Sequence, residues 1–291
     1  MSSLTIALVT WNSEDDIAEC LSSLFHAISK VPEVKLETVI IDNASTDNTI
    51  RVIENFLRVT EQNIVFLRNE DNLGFTKACN QAIHASTGDY IFILNPDTEI
   101  LNSSIKLMMN YLDDNDDVGV VAPQLVSKHS EIQFSCRTFP KYRDLFFEML
   151  MLASIFPKSE FFSRWKMRYF DHNSLREVDQ PMGAALLLKR KVLESVGGLD
   201  ERFIMFYNDV DFCKRINDAG FKIIFYPDAK VRHSTGVSIY KDRSAMIKHW
   251  NSDCLKYFRK HDYKHIPYFF LFIGLNATGF IRVLIQKIIH I

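Results

Sequence analysis

Small polar side chains follow four consecutive apolar runs in the first hundred residues, at the point where each run ends. They are Thr10, Trp11 and Asn12 after the first run, Asp42 and Asn43 after the second, Arg68 and Asn69 after the third, and Asn95, Pro96 and Asp97 after the fourth. In an open parallel sheet, ligands bind beyond the carboxyl ends of the strands, because loops and helix N-termini converge there. We therefore expect these residues to line one ligand-binding crevice.

Asp42 is the candidate for recognising a nucleobase. Its carboxylate can accept a hydrogen bond from the N3–H group of a pyrimidine, while Asn12 and Asn43 offer donors and acceptors to base or ribose edges. An Asx-type turn is the alternative, because Asp-Asn beside Ser-Thr is a frequent turn sequence. Taken alone, that turn is the commoner use of such an aspartate.

Asp97 is the candidate metal ligand. It follows the apolar run DYIFIL closely, so a sheet would hold it rigidly at the edge of the crevice. Mg²⁺ and Mn²⁺ need few protein oxygens when the phosphate oxygens of a ligand complete the coordination shell. The sequence N-P-D-T is also favourable turn chemistry, and the two interpretations are evenly matched for this residue alone.

Two phosphate-binding motifs are absent from the sequence. No G-x-G-x-x-G follows the first apolar run, and no G-x-x-x-x-G-K-[ST] occurs anywhere. The chain therefore lacks the phosphate cradles of dinucleotide-dependent dehydrogenases and of P-loop NTPases. A bound cation is the expected substitute.

Short apolar runs alternate with helical patterns over the first 125 residues, which predicts βαβ units and a mostly parallel sheet. Ser13 is expected to cap a helix over 14–28, and Ser45 or Thr46 a helix over 47–57. A third helix should open at 72–74 and end before Gly88. Strands are predicted over 4–10, 37–42, 64–67, 90–94 and 119–122.

The second half of the chain is less regular. Residues 134–169 are aromatic and basic without a clean period, which indicates a mobile or membrane-facing excursion. An apolar strand and a short helix follow over 181–198. A helix over 209–219 ending at Gly220 and a strand over 222–226 come next.

Composition sets broad limits. The chain has 291 residues, enough to bury a full core, and its 34 basic and 36 acidic side chains nearly cancel, so no global field attracts nucleic acid. Five scattered cysteines without a C-x-x-C pair fit a reducing compartment. No secretory signal is recognisable, so a cytosolic location is expected.

With these motifs, the chain resembles the inverting family 2 glycosyltransferases of the GT-A fold, especially the bacterial rhamnosyltransferase-like branch. The resemblance spans about residues 4–260. It is carried by the ordered blocks TIALVTWNS, IDNASTD, NEDNLGFTKACNQAI, GDYIFILNPDTEI, PMGAALLLKRKVLESVGGLDERFIMFYNDVDFCKRI and DAKVRHSTGVS. It implies a nucleotide-diphospho-sugar transferase with a Rossmann-like, mostly parallel sheet and helices on both faces.

The resemblance also implies roles for individual residues. Thr10 to Asn12 and Asp42 would line the nucleoside pocket, and Asn72 to Lys77, including Gly74, would lie along the ribose and diphosphate. N-P-D is similar to the family's D-x-D metal motif, with Asp97 as the main ligand of Mg²⁺ or Mn²⁺. Asp209 would be the catalytic base, and His233 is similar to a histidine that joins the metal in some relatives.

Two positions depart from the family pattern. Asn95 stands where D-x-D has its first aspartate, which removes a charge from the metal site. Asn208 stands where a glutamate usually precedes Asp209, which leaves one carboxylate fewer to raise the pKa of the base. Asp209 or Asp211 could alternatively be a helix N-terminal charge, and an isolated His233 would more often be structural.

The C-terminal part combines a basic and an apolar block. Between 240 and 265, seven Lys and Arg stand against three Asp, and 16 uncharged residues follow from Ile266, short of the ~20 that span a bilayer. Further on, Arg282, Gln286 and His290 recur every fourth residue among apolar ones, as in an amphipathic helix. We expect a membrane-associating helical tail over 241–291, with packing on the core as the alternative.

Residues 1–240 are then one GT-A domain, with a nucleotide-binding half over 1–125 and an acceptor half over 126–240. The resemblance implies an enzyme on the inner face of the cell membrane. It would move rhamnose from dTDP-rhamnose, or another sugar from a UDP-sugar, onto a lipid-linked or polysaccharide acceptor. A nucleotidyltransferase is less compatible with the acidic segment TWNSEDDIAEC, and a catalytically silent sugar-nucleotide-binding membrane protein is the other alternative.

Overall fold

The computed structural model describes residues 2–60, 62–234 and 243–289, with the backbone alone for 243–245 and 281–289. The strands are β1 Ser3–Thr10, β2 Lys35–Asp42, β3 Ile64–Arg68, β4 Tyr90–Leu94, β5 Thr98–Leu101, β6 Val118–Val126, β7 Cys136–Arg137, β8 Arg176–Glu177, β9 Gln180–Pro181, β10 Ala185–Lys189 and β11 Lys222–His233. The helices are α1 Ile17–Ile28, α2 Thr49–Val59, α3 Phe75–Ala85, α4 Ser104–Asp114, α5 Tyr142–Met149, α6 Leu152–Ile155, α7 Arg190–Val196, α8 Asn208–Asp218, α9 Arg243–His261 and α10 His265–Ile289.

The main sheet is mostly parallel, as expected. Its order is β3-β2-β1-β4-β10-β6-β11-β5, and β8 pairs with β11 outside this path. Strands β3, β2, β1 and β4 are mutually parallel, β10 runs antiparallel between β4 and β6, and β5 runs antiparallel to β11. The carboxyl ends of the parallel strands therefore form one edge, where the crevice was predicted.

Helices cover both faces of the sheet. Helices α1, α2 and α4 pack on one face around a core that includes Ile6, Leu21 and Phe92. Helices α3, α7 and α8 pack on the other face around a core that includes Ile91, Phe212 and Phe225. Successive side chains of a strand point to opposite faces of the sheet, so β4 contributes residues to both cores.

The predicted strands of the first half are confirmed, but the predicted helix caps are wrong. Helix α1 begins at Ile17 after Asp16, and the Ser13 side chain does not cap it. Helix α2 begins at Thr49, whose backbone N–H donates to the Asp47 carboxylate at 2.9 Å. Ser45 donates its hydroxyl to Asp42 instead, because the loop folds back onto the end of β2.

The excursion predicted over 134–169 is largely an ordered part of the fold. It forms β7, α5 and α6, and its side chains join a third core cluster with α9 and α10 that includes Leu145, Phe258 and Leu271. The sequence pattern did not predict this packing, because the apolar surface comes from two C-terminal helices that are distant in sequence. Several of its apolar side chains nevertheless stay exposed, among them Phe146 and Met151.

The apolar block of the tail is partly buried against the core and partly exposed. Leu271 and Leu275 of α10 are buried in the third cluster, while Ile266, Phe269 and Phe270 are exposed. Within the described residues, no helix combines the length and the apolar character that crossing a membrane requires. The structure does not describe the side chains of Arg282 and Gln286 or any part of His290.

In the basic block over 240–265, several lysines are paired with aspartates. The block is therefore a weaker positive surface than its composition indicated. Lys260 pairs with Asp200 at 2.7 Å and also with Asp211, and Lys256 pairs with Asp253 at 2.8 Å. The two pairs of Lys260 fasten α9 to Asp200 in the loop before α8 and to Asp211 in α8, whereas the Lys256 pair lies within α9. Lys241 and Asp242 lie outside the described residues.

Candidate active site

The ends of β1, β2 and β3 lie side by side. Thr10 pairs with Asp42 across the sheet, and Asp42 with Arg68. Asp42 is fully buried, and its carboxylate accepts hydrogen bonds from the Thr10 hydroxyl at 2.9 Å, the Ser45 backbone N–H at 2.9 Å and the Ser45 hydroxyl at 2.6 Å. Asp42 thus holds the loop after β2 through Ser45, three residues on, rather than through an Asx turn to the second residue, and its base-reading role stays a prediction.

Asparagine side chains shape the loops around this edge. Asn12, in a left-handed backbone conformation with φ 52°, accepts the Thr46 backbone N–H on its Oδ1 at 2.8 Å. Asn43 is buried and donates to Asn72 Oδ1 at 2.8 Å, while its own Oδ1 accepts the Leu73 backbone N–H at 3.0 Å. Asn43 thus ties the end of β2 to the loop before α3.

The start of α3 is held by the loop that leads into α8. Gly74 precedes the helix with φ +83°, a conformation that suits glycine, and the exposed Lys77 lies in the first turn. Asn208 donates its Nδ2 to the Thr76 hydroxyl at 3.0 Å. An exposed amino group at a helix N-terminus suits an anionic group such as a diphosphate.

Asp97 and His233 come together through strand pairing. His233 ends β11 and pairs with Thr98 at the start of β5, and the Ser234 backbone N–H donates to the Asp97 carbonyl at 3.0 Å. The His233 Nε2 lies 3.5 Å from Asp97 Oδ1, and His233 is buried. These two residues are 136 positions apart in sequence, so only the antiparallel register of β5 and β11 joins them.

Gln133 determines which ring nitrogen of His233 carries the proton. Its Nε2 donates to the His233 carbonyl at 2.8 Å, so its Oε1 faces the ring Nδ1 at 3.2 Å. Nδ1 must then be the donor, and in a neutral imidazole Nε2 presents a lone pair to the Asp97 carboxylate. Two acceptors this close need a proton or a cation between them.

The pair fits a divalent cation. Adjacent ligands of an octahedral shell with bonds of about 2.1 Å lie roughly 3 Å apart, close to the observed separation. No group of three or more His, Cys, Asp or Glu able to hold a metal occurs in the described part of the chain. A cation at this position would therefore have Asp97 and His233 as its protein ligands.

A polar cavity of about 190 Å³ adjoins Asp97. Burial and the Asp97 carboxylate raise the pKa of Asp16, which lies at the start of α1. The excess of carboxylates makes the cavity a place for cations. Its lining residues are Asp16, Glu19, Asp97, Thr98, Glu99, Lys128, Arg232 and Ser234.

Asp209 lies in a separate cleft and is held by neutral donors. Its Oδ2 accepts Gln180 Nε2 at 2.9 Å and the Gly183 backbone N–H at 3.3 Å, and its Oδ1 accepts the Val210 backbone N–H at 2.8 Å. Burial raises the pKa of Asp209 despite these hydrogen bonds. A Cβ on Gly183 would meet the Asp209 Cβ at 3.2 Å, so glycine permits this close approach.

The two carboxylates of α8 have different environments. Asp211 is fully buried and bonded to Arg215 at 2.8 Å, to His261 at 2.7 Å and to Lys260. These hydrogen bonds hold the pKa of Asp211 below its usual value even though burial acts in the opposite direction. Asp211 is therefore structural, and Asp209 is the carboxylate free to act as a base.

The Asp209 cleft has an aromatic wall and a volume of about 160 Å³. Trp250 of α9 meets Tyr207 edge to face, with ring centroids 5.6 Å apart. The Asn95 backbone N–H donates to the Ala184 carbonyl at 2.9 Å, so the segment beside Asp209 is bonded to the segment of Asp97. Its lining residues are Ser135, Arg137, Trp165, Gln180, Met182, Phe206, Tyr207, Asp209, Val210 and Trp250.

Several residues of these sites carried no signal in the sequence. Gln133, Arg137 and Trp250 belong to segments without regular periodicity or far from the strand ends. Gln180 and Gly183 stand in the run QPMG before β10, where a glycine next to a predicted strand is a weak indication of close backbone approach.

The comparison with protein-family models decides the family. Residues 5–197 match the model described as glycosyl transferase family 2. The chain belongs to this family. The match begins within β1 and continues through β10 and α7, so it includes both Asp97 and the Gly183 segment.

Curated relatives of this family 2 glycosyltransferase span most of the chain. An N-acetylglucosaminyl-diphospho-decaprenol L-rhamnosyltransferase of Mycobacterium tuberculosis is 25% identical over 257 residues, covering 84% of this chain and 80% of the relative. A low-salt glycan biosynthesis hexosyltransferase of Haloferax volcanii is 24% identical over 219 residues, covering 74% and 62%.

Solved structures show the same fold. The mannosyltransferase PcManGT of Pyrobaculum calidifontis, in complex with GDP-Man and Mn²⁺, superposes with a TM-score of 0.60 at 19% identity, covering 95% of this chain and 69% of that one. The GT-A-like α/β architecture of this glycosyltransferase is therefore established.

Proposed function

We propose that the protein is an inverting, metal-assisted glycosyltransferase that moves a sugar from a nucleoside diphosphate to a lipid-linked or glycan acceptor in cell-surface glycan synthesis. The observation that carries the proposal is the placement of Asp209. It lies in an open cleft with a raised pKa and neutral hydrogen-bond donors, and one backbone hydrogen bond links its segment to that of Asp97.

Asp209 is the general base of this proposal. It accepts the proton of an acceptor hydroxyl while that oxygen forms a bond to the anomeric carbon of the donor sugar. The bond between that carbon and the diphosphate oxygen breaks, and its electron pair leaves with the nucleoside diphosphate. Because the displacement is a single in-line step, the configuration at the anomeric carbon inverts.

Asp97 and His233 would hold Mg²⁺ or Mn²⁺. A bound divalent cation supplies Lewis-acid stabilisation of charge on the departing diphosphate. Gln133 keeps the His233 ring in the tautomer with a free Nε2, the arrangement that a histidine ligand requires. Asn95 leaves the site with one carboxylate where the family pattern has two.

The nucleotide is expected along the ends of β1, β2 and the loop before α3. Trp11 and Asn12 are partly exposed there, and Asn72 and Lys77 are exposed beside the N-terminus of α3. A dTDP- or UDP-sugar is the proposed donor, with rhamnose suggested by the name of the mycobacterial relative. That relative's name also motivates a sugar-diphosphate-prenol acceptor.

Peripheral membrane association is part of the proposal. Ile266, Phe269, Phe270 and Ile273 form an exposed apolar stripe on α10, spaced as one helical face. Exposed Lys141, Arg143 and Lys264 lie at one end of it, where the Lys264 backbone N–H meets the Tyr142 hydroxyl at 3.4 Å. Apolar side chains beside cations suit an anionic lipid surface.

The decisive experiment combines binding and transfer. Thermal shifts with dTDP-, UDP- and GDP-sugars, each with and without Mn²⁺, should show stabilisation by one base that increases with the cation. Incubation with a sugar-diphosphate-prenol should then release the nucleoside diphosphate and form an inverted linkage, detected by NMR. Absence of both stabilisation and release with every donor would refute the function.

A further inference from the structure

The side-chain amide of Asn208 joins two parts of the candidate active site. Asn208 is buried at the first residue of α8, and its Oδ1 accepts the Asp209 backbone N–H at 2.6 Å. Its Nδ2 donates to the hydroxyl of Thr76 in α3 at 3.0 Å, and Thr76 is buried as well. One amide therefore connects the backbone of the candidate base to the first turn of α3.

The direction of each hydrogen bond in this network is fixed. A hydroxyl group has one proton to donate, and Thr76 Oγ1 lies 2.5 Å from the Phe203 carbonyl, which can only accept. Thr76 therefore donates to Phe203, and its oxygen must accept from the side chain at position 208. A carboxylate there could still accept the Asp209 N–H, but it would turn an acceptor towards Thr76. Only a side chain with both a donor and an acceptor satisfies both partners.

Helix α3 is the fixed partner in this connection. Ala78, Cys79 and Ala82 are buried in the core that α3 shares with α7 and α8, so packing against the sheet holds the helix in place. A Cβ on Gly74, just before the helix, would meet the Ile204 carbonyl at 3.3 Å, so the loop leading to α8 lies directly against the helix N-terminus. Loss of the amide connection would therefore move the loop and the start of α8 rather than α3.

The backbone that carries Asp209 depends on such contacts. Tyr207, directly before α8, has a left-handed conformation with φ 59°, which is unfavourable for a residue other than glycine and persists only where its surroundings impose it. The turn at Tyr207 sets the direction in which the first turn of α8 leaves the loop. The amide network holds the chain on both sides of this turn, at Asp209 after it and at Phe203 before it.

We propose that Asn208 is a positioning residue for the transfer reaction, an inference that rests on the proposed function. Its amide fixes Asp209 relative to the N-terminus of α3, beside which the donor diphosphate is expected. The base and the donor sugar then keep the geometry that an in-line displacement requires, because a small misplacement of a reacting group lowers the rate. Asn208 acts through Asp209 and touches no substrate in this role.

Two substitutions that nearly preserve side-chain size break the connection. Thr76→Val removes the hydroxyl, and Asn208→Asp replaces the donor Nδ2 with a carboxylate oxygen. Each should lower kcat of the folded enzyme about 10–100-fold, the scale of a misplacement of roughly 1 Å, and leave KM for donor and acceptor within about twofold. Either variant suffices where the other does not fold.

Thr76→Ser is the matched control, because it keeps the hydroxyl. It should retain kcat within about twofold of the wild type, since the hydrogen bonds to Phe203 and Asn208 can still form. Melting temperatures are measured for all variants. A lower melting temperature with unchanged kcat in Thr76→Val would mean that the network only stabilises the fold, and would overturn the positioning role.

A double-variant cycle tests whether the two side chains act as one network. Thr76→Val combined with Asn208→Asp should give a kcat within about twofold of the lower single variant, because one change already breaks the connection. Rates are compared on the plateau of each pH profile, so the new charge does not act through the pKa of Asp209. Fold-changes that multiply would show two independent effects and overturn the network. Asn217→Asp, at an exposed position of α8, is the charge control and should match the wild type.

Failure of this inference differs from failure of the proposed function. Wild-type rates of transfer in both Thr76→Val and Asn208→Asp would overturn the positioning role and leave the function standing. A rise in donor KM with unchanged kcat would assign Thr76 to donor binding and would also overturn the role. Absence of both donor binding and transfer in the wild type would refute the proposed function itself.

Discussion

The two cavities at the carboxyl edge of the sheet differ in chemistry and in origin. The cavity at Asp97 is polar, rich in carboxylates and framed mainly by α1, β5 and the end of β11. The cleft at Asp209 is aromatic, and its Arg137 guanidinium has backbone carbonyls but no carboxylate as hydrogen-bond partners within the described residues. The first suits a cation with a diphosphate, and the second suits a sugar with an apolar face.

The two cavities are held together by different kinds of packing. Residues around Asp97 are held by strand pairing, which is rigid and local to the sheet. Residues around Asp209 come from β7, β9, α8 and α9, which are brought together by helix packing. We therefore expect changes at the two cavities to affect different steps of the reaction.

The largest effect should come from Asp209→Asn. Loss of the base should reduce the rate of transfer by about 10²–10⁴-fold, because general bases typically contribute that much. Donor binding, measured by thermal shift, should persist, since Asp209 lies in the other cavity. Asp218→Asn at the exposed end of the same helix is the control, and normal transfer by the Asp209 variant would disprove its role.

A smaller effect should come from Gln133→Leu, which tests the Asp97 cavity without removing a ligand. Freeing the His233 ring should weaken metal affinity about 10–100-fold, as for other residues that orient metal-bound histidines. The Mn²⁺ concentration for half-maximal transfer should rise, with the maximal rate at saturating Mn²⁺ near that of the wild type. An unchanged Mn²⁺ requirement would place the metal away from His233.

Phe269→Ser combined with Phe270→Ser tests the exposed apolar face of α10. Binding to anionic vesicles, measured by co-sedimentation, should fall at least about tenfold, because each buried Phe contributes about 1.5–3 kcal/mol. Transfer to a soluble acceptor should stay within twofold. Asn276→Ser, at an exposed polar position of α10, is the control, and vesicle binding that survives the double change would locate the contact elsewhere.

The smallest effect concerns stability. The folded-state pKa of Asp209 is raised, so protonation favours the folded state at low pH and this contribution is lost as pH rises through the ordinary carboxyl range towards the raised value. Asp209→Asn, which is neutral throughout, should melt above the wild type at neutral pH. The difference in melting temperature between the two proteins should narrow on acidification, which scanning calorimetry at neutral and at acidic pH measures. An equal difference at the two pH values would mean that ionisation of Asp209 is not its cause.

Local patterns were sufficient to predict the strands of the first half of the chain and two helix ends. The range of β4 was predicted to the residue, and the helix ends at Gly88 and Gly220 were close, because strand periodicity and glycine stops act over a few residues. The predicted capping residues of α1 and α2 were wrong, since several polar side chains in each loop compete for the same backbone N–H groups. The packing of the segment 134–169 was not predicted, because its partners lie about a hundred residues away.

The sequence by itself determined the alternating fold, the polar residues at the strand ends and the family, since these depend on short-range pattern and ordered motifs. Tertiary structure alone decided that His233 meets Asp97, that Asp209 has only neutral hydrogen-bond donors whereas Asp211 has cationic ones, and that Arg137, Trp165 and Trp250 share a cleft. Those outcomes depend on register and helix packing between distant segments, and no local pattern encodes which distant side chains a folded chain brings within a few ångströms.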